Sequence, residues 1–460
     1  MQLKNTRGGS ADASLLKSKI ARRRLIAASC ALLGTTAARS QDAGGAAADS
    51  AGSAWGVDSA LAYYHESGRI TAIEPIVNVA KDYGDGKTFS AQFIFDSLSG
   101  STPNGALPST KAQTFASPSG KSLSAAPTTY TSSSGQLVSQ SAPIYTIEPG
   151  QLPMDPHYHD QRLALSGDWG LPLTRLLTAS AGGKLSYESD FLSVSANAGI
   201  ARDFNEKNTT LSFQLNDEFD SLRPIGGAPV AGSDYALFQK GGGKSKDGVG
   251  AMLGLTQVLS RRWLTELNLS VDRFKGYLND PYKIISIIDG AGNTTGYLYE
   301  KRPDTRTRKS LYWENRTAWG RVSAALSLRY MTDTWRVRSD TAQIHVRWWN
   351  FDRDRYLEPT VRWYRQSAAD FYTPWLDSAG ARISYASSDA RLGAFQAVTY
   401  GLKYGAKLDD ADLQSSSQFS LRLEYYQQTP DHRQSAPGAL QGLDLYPGLK
   451  AILLQVGWKF

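Results

Sequence analysis

Strict alternation of apolar and polar side chains constrains this chain more than any other feature, and the last stretch, Leu449 to Phe460, shows it most clearly. One parity is apolar and the other is polar or small: Ile452, Leu454, Val456, Trp458 and Phe460 against Gln455, Gly457 and Lys459. Because successive side chains of a strand point to opposite faces, this pattern predicts a strand with one apolar face.

A last strand that ends on an aromatic residue is typical of bacterial outer-membrane barrels. In such a barrel, Trp458 and Phe460 would form the signal that the barrel-assembly machinery reads. The alternative is an edge strand of a soluble β-sandwich. No apolar run of the sequence approaches the length of a transmembrane helix, so a membrane location has to be built from strands.

The same alternation recurs in about 16 segments along the chain, which favours the barrel. The clearest apolar sets are Phe89, Ala91, Phe93 and Phe95, then Leu192, Val194, Ala196, Ala198 and Ile200, and finally Phe419, Leu421, Leu423 and Tyr425. The intervening residues are polar. Lipid replaces a packed core on the outer face of a membrane barrel, so an apolar outside and a polar inside are expected. The prediction is an all-β fold, a single transmembrane antiparallel β-barrel over residues 55–460 with about 16 strands, 14 to 18 remaining open.

The lengths of the connections separate into two classes. Short links are predicted near 83–87, 170–174, 205–208, 260–262, 318–321, 351–355 and 408–413. The alternate connections include every long loop, at 98–157, 223–247, 277–307, 367–390 and 429–446. Short periplasmic turns and long extracellular loops are expected of outer-membrane barrels. The segment 98–157, rich in Ser, Thr, Pro and Gly, is long enough to fold into the lumen or to stay disordered.

The N-terminus predicts export. A basic region that includes Arg22, Arg23 and Arg24 precedes a short apolar run, and small residues follow it. Residues 1–40 therefore form a predicted secretory signal peptide, and residues 41–54 a flexible lead. Removing residues 1–40 leaves equal numbers of acidic and basic side chains and takes away Cys30, the only cysteine. The sequence pI of about 9.2 is thus no argument for nucleic-acid binding.

Three blocks of sequence stand out: FDSLSG with PNGA at 95–106, DPYK at 280–283 with YEKRPDTRTR at 299–308, and YRQSAADFY at 364–372 with LEYY at 423–426. Together they resemble a bacterial family catalogued only as a domain of unknown function and expected to form outer-membrane barrels. The resemblance runs from about residue 62 to the C-terminus. It implies location and fold, together with an envelope redox setting beside a small periplasmic lipoprotein. It supplies no activity, substrate or catalytic residues.

Charged residues of both signs fall on the parity predicted to face the lumen. They are Glu74, Asp96, Arg162, Asp168, Lys184, Glu266, Asp272, Glu314, Arg316, Arg329, Arg347, Glu358, Arg362, Arg422, Glu424 and Lys459. Such charges either pair across the interior or set the ion selectivity of an aqueous path. The signs are nearly balanced, so no strong selectivity is expected, although arginines are more frequent in the C-terminal third.

Other motifs give weaker expectations. Asp155, His157, His159 and Asp160 form the one metal-like cluster, without an identifiable third strong ligand, and we expect no metal or other cofactor. A basic run could contact lipopolysaccharide phosphates or simply be solvated: Lys301, Arg302, Arg306, Arg308 and Lys309. No nucleophile and base are recognisable, so an enzyme is not expected.

Two functions remain open on the sequence. The first is a porin-like conduit for small polar solutes or ions through a charged lumen. The second is a non-conducting barrel that acts as a scaffold for a periplasmic or surface partner, such as a lipoprotein in a redox system.

Overall fold

The computed structural model describes residues 55–117, 128–131, 137–140, 144–237, 239–378, 384–408, 417–431, 435, 437–446 and 448–460. The predicted signal peptide 1–40, which contains Cys30, and the lead 41–54 lie outside these described residues.

Sixteen strands form one closed barrel in which each strand is hydrogen-bonded to its sequence neighbours. Strands β1 to β8 are Trp55–Glu66, Ile70–Asp82, Thr88–Pro103, Met154–Pro172, Leu177–Tyr187, Phe191–Phe204, Thr209–Leu222 and Lys244–Ser260. Strands β9 to β16 are Trp263–Gly276, Thr305–Trp319, Val322–Asp333, Arg338–Trp349, Arg355–Gln366, Phe395–Leu408, Ser417–Pro430 and Leu449–Lys459.

The two ends of the sheet close on each other through an antiparallel pairing of β1 with β16. Asp58 lies opposite Lys459, and Tyr63 lies opposite Leu454. The backbone N–H of Phe460 donates to the carbonyl of Val57 at 2.8 Å, so the last residue takes part in the closure. This closure confirms the prediction of a single antiparallel barrel, with a strand number of sixteen.

The outer wall of the barrel is apolar. In β16, Ile452 is 46% exposed, Leu454 39% and Trp458 40%, whereas Ala451, on the other face, is buried. The neighbouring strand repeats the pattern with exposed Leu421 and Leu423. A continuous exposed apolar wall around a closed barrel is the surface that a membrane barrel presents to lipid. Among the described residues, no helix is long and apolar enough to cross a bilayer.

Exposed aromatic residues collect near one end of the barrel, at the strand ends joined by short turns. They are Trp55, Trp169, Phe204, Trp263, Trp319, Trp348 and Trp458. Some of them stack, as do Phe89 and Trp169 with ring centroids 5.4 Å apart. Amphipathic rings settle at the headgroup level, so this ring of aromatics marks one boundary of the apolar wall.

One end of the barrel carries short connections alone, and the other end carries every long loop together with three short turns. The first set is 83–87, 173–176, 205–208, 261–262, 320–321, 350–354 and 409–416, the last of which lies outside the described residues. The opposite end carries three short turns, at 67–69, 188–190 and 334–337, and five long loops, at 104–153, 223–243, 277–304, 367–394 and 431–448. The predicted division of loop lengths is confirmed. The first long loop is shorter than predicted, 104–153 instead of 98–157, because β3 and β4 extend further than expected.

Buried hydrophobic clusters among the described residues lie in these loops rather than in the barrel wall. One cluster unites Leu107, Ile288, Trp375, Leu440 and Leu445. Four different loops supply its members, and the loops that carry Leu107 and Ile288 leave the barrel at β3 and β9, six strands apart in a ring of sixteen. Loops from such distant parts of the rim can share one core only over the barrel mouth.

We call the described parts of the five long loops, together with 334–337, the cap. Small sheets give it internal order: Ile284–Ile288 pairs with Thr294–Tyr299 and, in parallel, with Trp375–Asp377. A second pairing joins Gln113–Ala116 to Ile144–Ile147. The cap is thus a packed layer that covers the extracellular end of the barrel.

Candidate functional site

The inner wall of the barrel carries the charged residues that the sequence analysis singled out. Each of the residues from Glu74 to Lys459 proposed as lumen-lining lies on a barrel strand, with the parity opposite to that of exposed apolar residues in the same strand. Asp168, for example, is buried beside exposed Trp169, and Glu358 is buried beside exposed Leu357. The alternation therefore places the whole set on one face, which is the face turned toward the barrel axis.

Several further charged residues share this face and were not predicted. They are Asp58, Glu218, Asp220, Lys246, Arg306, Arg308, Asp333 and Lys403. Their parity matches the rest, so the same alternation could have found them. Most lie near strand ends, where the boundaries of a strand are hardest to read from sequence.

The basic run at the end of the loop 277–304 is not a single outer surface. Arg302 is buried in ion pairs with Glu300 and Asp389. Arg306 and Arg308 belong to β10 and share the inner parity, with Arg306 paired to Asp333 at 2.5 Å. The five residues therefore do not form one surface, because the run crosses from a loop into a strand, where alternate side chains change face. Contact of the remaining lysines with lipopolysaccharide stays a prediction.

Several inner-wall charges form local ion pairs. The pairs are Arg162–Asp96, Lys246–Asp220 at 2.8 Å, Arg306–Asp333 at 2.5 Å, Arg316–Glu314, Arg347–Glu358 at 2.5 Å and Arg422–Glu424 at 3.4 Å. All are formed within one strand or between near neighbours, so they neutralise charge locally without spanning the lumen.

The inner-wall charges outside these six pairs, several of which have further partners of their own, divide by position around the barrel. On β1 to β9 they are mainly acidic: Asp58, Glu74, Asp168, Glu218, Glu266 and Asp272, with Lys184 as the basic member. On β10 to β16 they are basic: Arg308, Arg329, Arg362, Lys403 and Lys459. At the two borders the signs meet on neighbouring strands, Asp58 beside Lys459 and Asp272 beside Arg308. Away from those borders, acidic and basic residues lie on separate arcs, and such a separation produces an electric field across the lumen.

Glycines leave room for the acidic side chains to lie along their wall. A Cβ atom on Gly182 would fall 2.2 Å from Asp168 Oδ1, and one on Gly250 would fall 2.5 Å from Asp272 Oδ1. Both distances are well below van der Waals contact, so any larger residue would displace the carboxylate from the wall. The side chain of Asn197 also donates to Asp168 Oδ1 at 3.2 Å.

The cap is held together by a buried ionic network that sequence reasoning did not find. Arg302 bonds Glu300 at 2.7 Å and Asp389 at 2.8 Å, and Arg391 bonds Asp389 at 2.6 Å and Asp280 at 2.5 Å. Glu300 and Asp389 are almost fully buried. The network joins the loop 277–304 to the loop 367–394, and buried charges of this kind hold only while each partner is present.

The same region joins the first long loop to the third. Lys283 Nζ donates to the carbonyl of Pro103, and the N–H of Ile284 donates to the carbonyl of Asn104 at 2.9 Å. Gly105 has a φ of +95°, and a Cβ there would lie 2.6 Å from the carbonyl oxygen of Ile284, so only glycine fits. The PNGA and DPYK blocks noted in the sequence therefore meet in the cap.

Burial and the surrounding charges move the pKa values of the network apart. Burial raises the pKa of Glu300 to about 7 despite the nearby Arg302. Burial opposes ionisation of Asp389 as well, but Arg391 and Arg302 hold its pKa below the ordinary value. Between pH 7 and 5 the network therefore changes charge chiefly at Glu300.

We expect the cap to become more stable as the pH falls through about 7 toward the ordinary carboxyl pKa of about 4.3. The folded pKa of Glu300 is raised, so its ionised form costs stability that protonation relieves, whereas the lowered pKa values of Asp389 and Asp280 keep their stabilisation complete in this window. Hydrogen exchange of segment 277–304 across this pH range measures the effect. Glu300→Gln should abolish the pH dependence, and an unchanged profile in that variant would contradict the assignment.

The four residues of the metal-like cluster do not form one site, although His157 Nδ1 lies 3.8 Å from Asp155 Oδ1. The Ser117 hydroxyl donates to Asp155 at 2.8 and 2.9 Å, and Asp155 is buried. His157 and His159 are exposed, while Asp160 shares the inner parity of Arg162. Within the described part of the chain, no group of three or more histidine, cysteine, aspartate or glutamate side chains is arranged to hold a metal ion.

Comparison with known proteins identifies the family. The model of the family described as "Protein of unknown function (DUF3570)" matches residues 22–460. The chain belongs to this family. No curated protein matches the sequence.

Solved structures with a similar fold share little sequence with this member of the family. A "Bacterial polysaccharide outer membrane secretin" is 9% identical, covers 89% of this chain and 100% of its own, and has a TM-score of 0.42. Two Pseudomonas aeruginosa proteins follow. The outer membrane protein opdK is 10% identical, with 88% and 98% of the chains covered and a TM-score of 0.37. OccD3 (OpdP) is 9% identical, with 90% and 93% covered and a TM-score of 0.39.

Proposed function

We propose that the protein is an outer-membrane channel that conducts small charged or polar solutes along a charge-divided lumen. The observation that carries the proposal is the inner wall, acidic on β1 to β9 and basic on β10 to β16. The interior of a barrel of about eight strands is filled by its own side chains, and the diameter grows with the number of strands. A barrel of sixteen strands is therefore wide enough for an aqueous path. The apolar outer wall and the aromatic ring support a location in the outer membrane.

The cap gives the channel a covered extracellular mouth. Its core joins loops from distant parts of the rim, and buried ion pairs fix two of those loops to each other. A solute entering from outside passes between the cap and the wall, so the cap sets the upper size limit and the barrel charges set the orientation.

Planar bilayer recordings test the proposal directly. Purified full-length protein should produce discrete ion-conducting steps, with a larger conductance once the cap is loosened. Reversal potentials in a salt gradient should show weak selectivity, because the acidic and basic walls nearly balance. A complete lack of conductance, both in the native protein and in a cap-loosened variant, would overturn the assignment as a channel.

Neutralising the acidic wall is expected to make the channel anion-selective. Asp168→Asn with Asp272→Asn removes two negative charges from the lumen, so the anion-to-cation permeability ratio should rise by roughly a factor of two or more. The matched control is Asp217→Asn with Asp247→Asn, which removes the same charge from exposed residues of the outer parity. Equal shifts in both double variants would show that the inner wall does not line the ion path.

The covered mouth also supports a second candidate function, a closed barrel that serves as a scaffold. In that case a periplasmic or surface partner, such as a small lipoprotein of a redox system, would bind the barrel in a fixed ratio. Purification from membranes without crosslinking distinguishes the two: a stoichiometric partner together with a closed pore favours the scaffold.

Export and assembly complete the proposal. Residues 1–40 would direct secretion, and the barrel-assembly machinery would bind the last strand through Trp458 and Phe460, which are exposed on the outer wall. Lipid and lipopolysaccharide would surround the barrel, with Lys301 and Lys309 rather than the whole basic run available to phosphates. No nucleic-acid partner is proposed.

A further inference from the structure

Two arginines of the basic wall, Arg329 and Arg362, differ from the other arginines of the lumen. Most of the others form ion pairs with a neighbouring carboxylate: Arg162, Arg306, Arg316, Arg347 and Arg422. Arg308 lies between Asp272 and Asp333 on the adjacent strands. Neither Arg329 nor Arg362 forms an ion pair with any carboxylate among the described residues.

Tyrosines surround these two guanidinium groups. Arg329 on β11 lies opposite Tyr312 on β10 and opposite Thr341 on β12, and Thr341 in turn lies opposite Tyr364 on β13. The guanidinium carbon of Arg362 is 5.5 Å from the centroid of the Tyr364 ring. The backbones of β11 and β13 are separated by one strand, or about 10 Å, so the long side chains of Arg329 and Arg362 can converge on one ligand.

The second flank of the cluster is also aromatic. Arg362 lies opposite Thr399 on β14, and Thr399 lies opposite Tyr426 on β15. The hydroxyls of Tyr364 and Tyr426 donate to Gln366 and Gln428, each at 2.8 Å, which holds both rings against the wall. Glu424 on β15 attracts Arg362 electrostatically without an ion-pair contact, and it is engaged by Arg422 at 3.4 Å.

We propose that Arg329 and Arg362 form a binding subsite for the carboxylate of a small organic solute, with Tyr364 and Tyr426 against its apolar body. A planar guanidinium binds a carboxylate through two parallel hydrogen bonds, which a point charge such as ammonium cannot reproduce. Aromatic rings beside the cations favour a solute with a flat hydrocarbon part over a bare inorganic anion. This inference rests on the proposed channel and assigns a substrate class to it.

Calorimetric titration of full-length protein in nanodiscs with sodium benzoate tests the subsite without requiring conduction. Two comparison ligands are titrated in the same way. Chloride, at fixed ionic strength, is an anion without a ring, and benzyl alcohol has the ring without a charge. Titrations are run on the native protein and on an Arg302→Gln variant with a loosened cap. We expect benzoate to bind at least one of them, with chloride and benzyl alcohol binding more weakly.

Arg329→Gln with Arg362→Gln should lower the benzoate affinity by roughly tenfold or more. The matched control is Arg316→Gln with Arg347→Gln, which removes the same charge from ion-paired positions and should lower the affinity much less. Arg329→Lys with Arg362→Lys keeps the charge but removes the planar guanidinium that forms two parallel hydrogen bonds. The benzoate affinity should therefore fall while the reversal potentials stay near native. Heat-modifiable electrophoretic mobility checks that each variant is folded.

The outcomes separate the subsite from the channel. Equal losses in the two glutamine variants, or native affinity in the lysine variant, would overturn the subsite in favour of a general field effect. Conductance without benzoate binding in either cap state would overturn the subsite and leave the channel standing. Benzoate binding that depends on Arg329 and Arg362 in a protein that never conducts would support the subsite and reject the conduit.

Discussion

Replacing Arg302 with glutamine is expected to release the cap and raise the conductance of the barrel. Arg302 is 10% exposed and joins Glu300 to Asp389, which lie on different loops. Its loss leaves two buried carboxylates without that partner, and breaking a buried ion pair on one side costs about 3–5 kcal/mol. The cap should therefore open while the barrel, whose hydrogen bonds do not involve Arg302, stays folded.

Two measurements check this result on the same protein. Single-channel recordings should show larger conductance steps, and limited proteolysis should cut the loops 277–304 and 367–394 faster than in the native protein. Arg336→Gln is the matched control, because Arg336 pairs with Asp370 at 3.4 Å in an exposed position, with side chains 72% and 67% exposed. Exposed pairs contribute about 0–1 kcal/mol, so this variant should behave like the native protein.

An Arg302→Gln variant with native conductance and native resistance to protease would show that the network does not hold the cap. Native conductance together with rapid loop cleavage would show that the cap opens without limiting the path. The first result rejects the ion-pair network as the element that holds the cap in place. The second rejects the cap as the constriction of the channel.

The barrel was predictable from sequence because its structure repeats every two residues. A residue such as Leu454 or Glu424 reveals its face through its immediate neighbours, so parity alone separates the lipid side from the lumen side. The count of sixteen follows from the same repetition. Loop lengths then indicate which end faces outward, because every long loop lies at one end.

The cap was not predictable in the same way because its contacts join distant parts of the sequence. Lys283 bonds the carbonyl of Pro103, 180 residues away, and Leu107 bonds the hydroxyl of Ser286, 179 residues away. The loop sequences have no periodic pattern from which such long-range contacts could be predicted. The basic run around Arg302 and Arg306 shows the consequence, since its sequence indicates one surface while the structure divides it between the cap and the lumen.

The division of the lumen into two charged walls was only partly predictable from the sequence. The sequence shows an excess of arginine in the C-terminal third, and the balanced total argues against selectivity. A balanced total hides a dipole, because Asp168 on β4 and Glu218 on β7 lie on a different arc of the barrel from Arg329 on β11 and Arg362 on β13. Strand order around the closed sheet is needed to convert sequence position into direction.

Arginine substitution at two adjacent positions of β11 is expected to separate the lipid-facing wall from the lumen. Leu326 is exposed on the outer wall, and Ser327 lies on the inner wall opposite Glu314 and Gln343. Leu326→Arg places a charge near the middle of the apolar belt, which should destabilise the folded barrel in the bilayer by about 2–4 kcal/mol. Ser327→Arg places the same side chain beside a carboxylate in the aqueous interior, so its cost should be small.

Urea unfolding of both variants in lipid vesicles measures the difference, with tryptophan fluorescence as the signal. The pair is matched in side chain and strand, and only the face differs, so the contrast is insensitive to the β-propensity of arginine. Equal destabilisation by the two substitutions would mean that β11 presents no distinct face to lipid. A larger cost for Ser327→Arg would mean that the interior is packed and dry, in which case the apolar wall would have to be covered by protein rather than by lipid and the conducting lumen would fail with it.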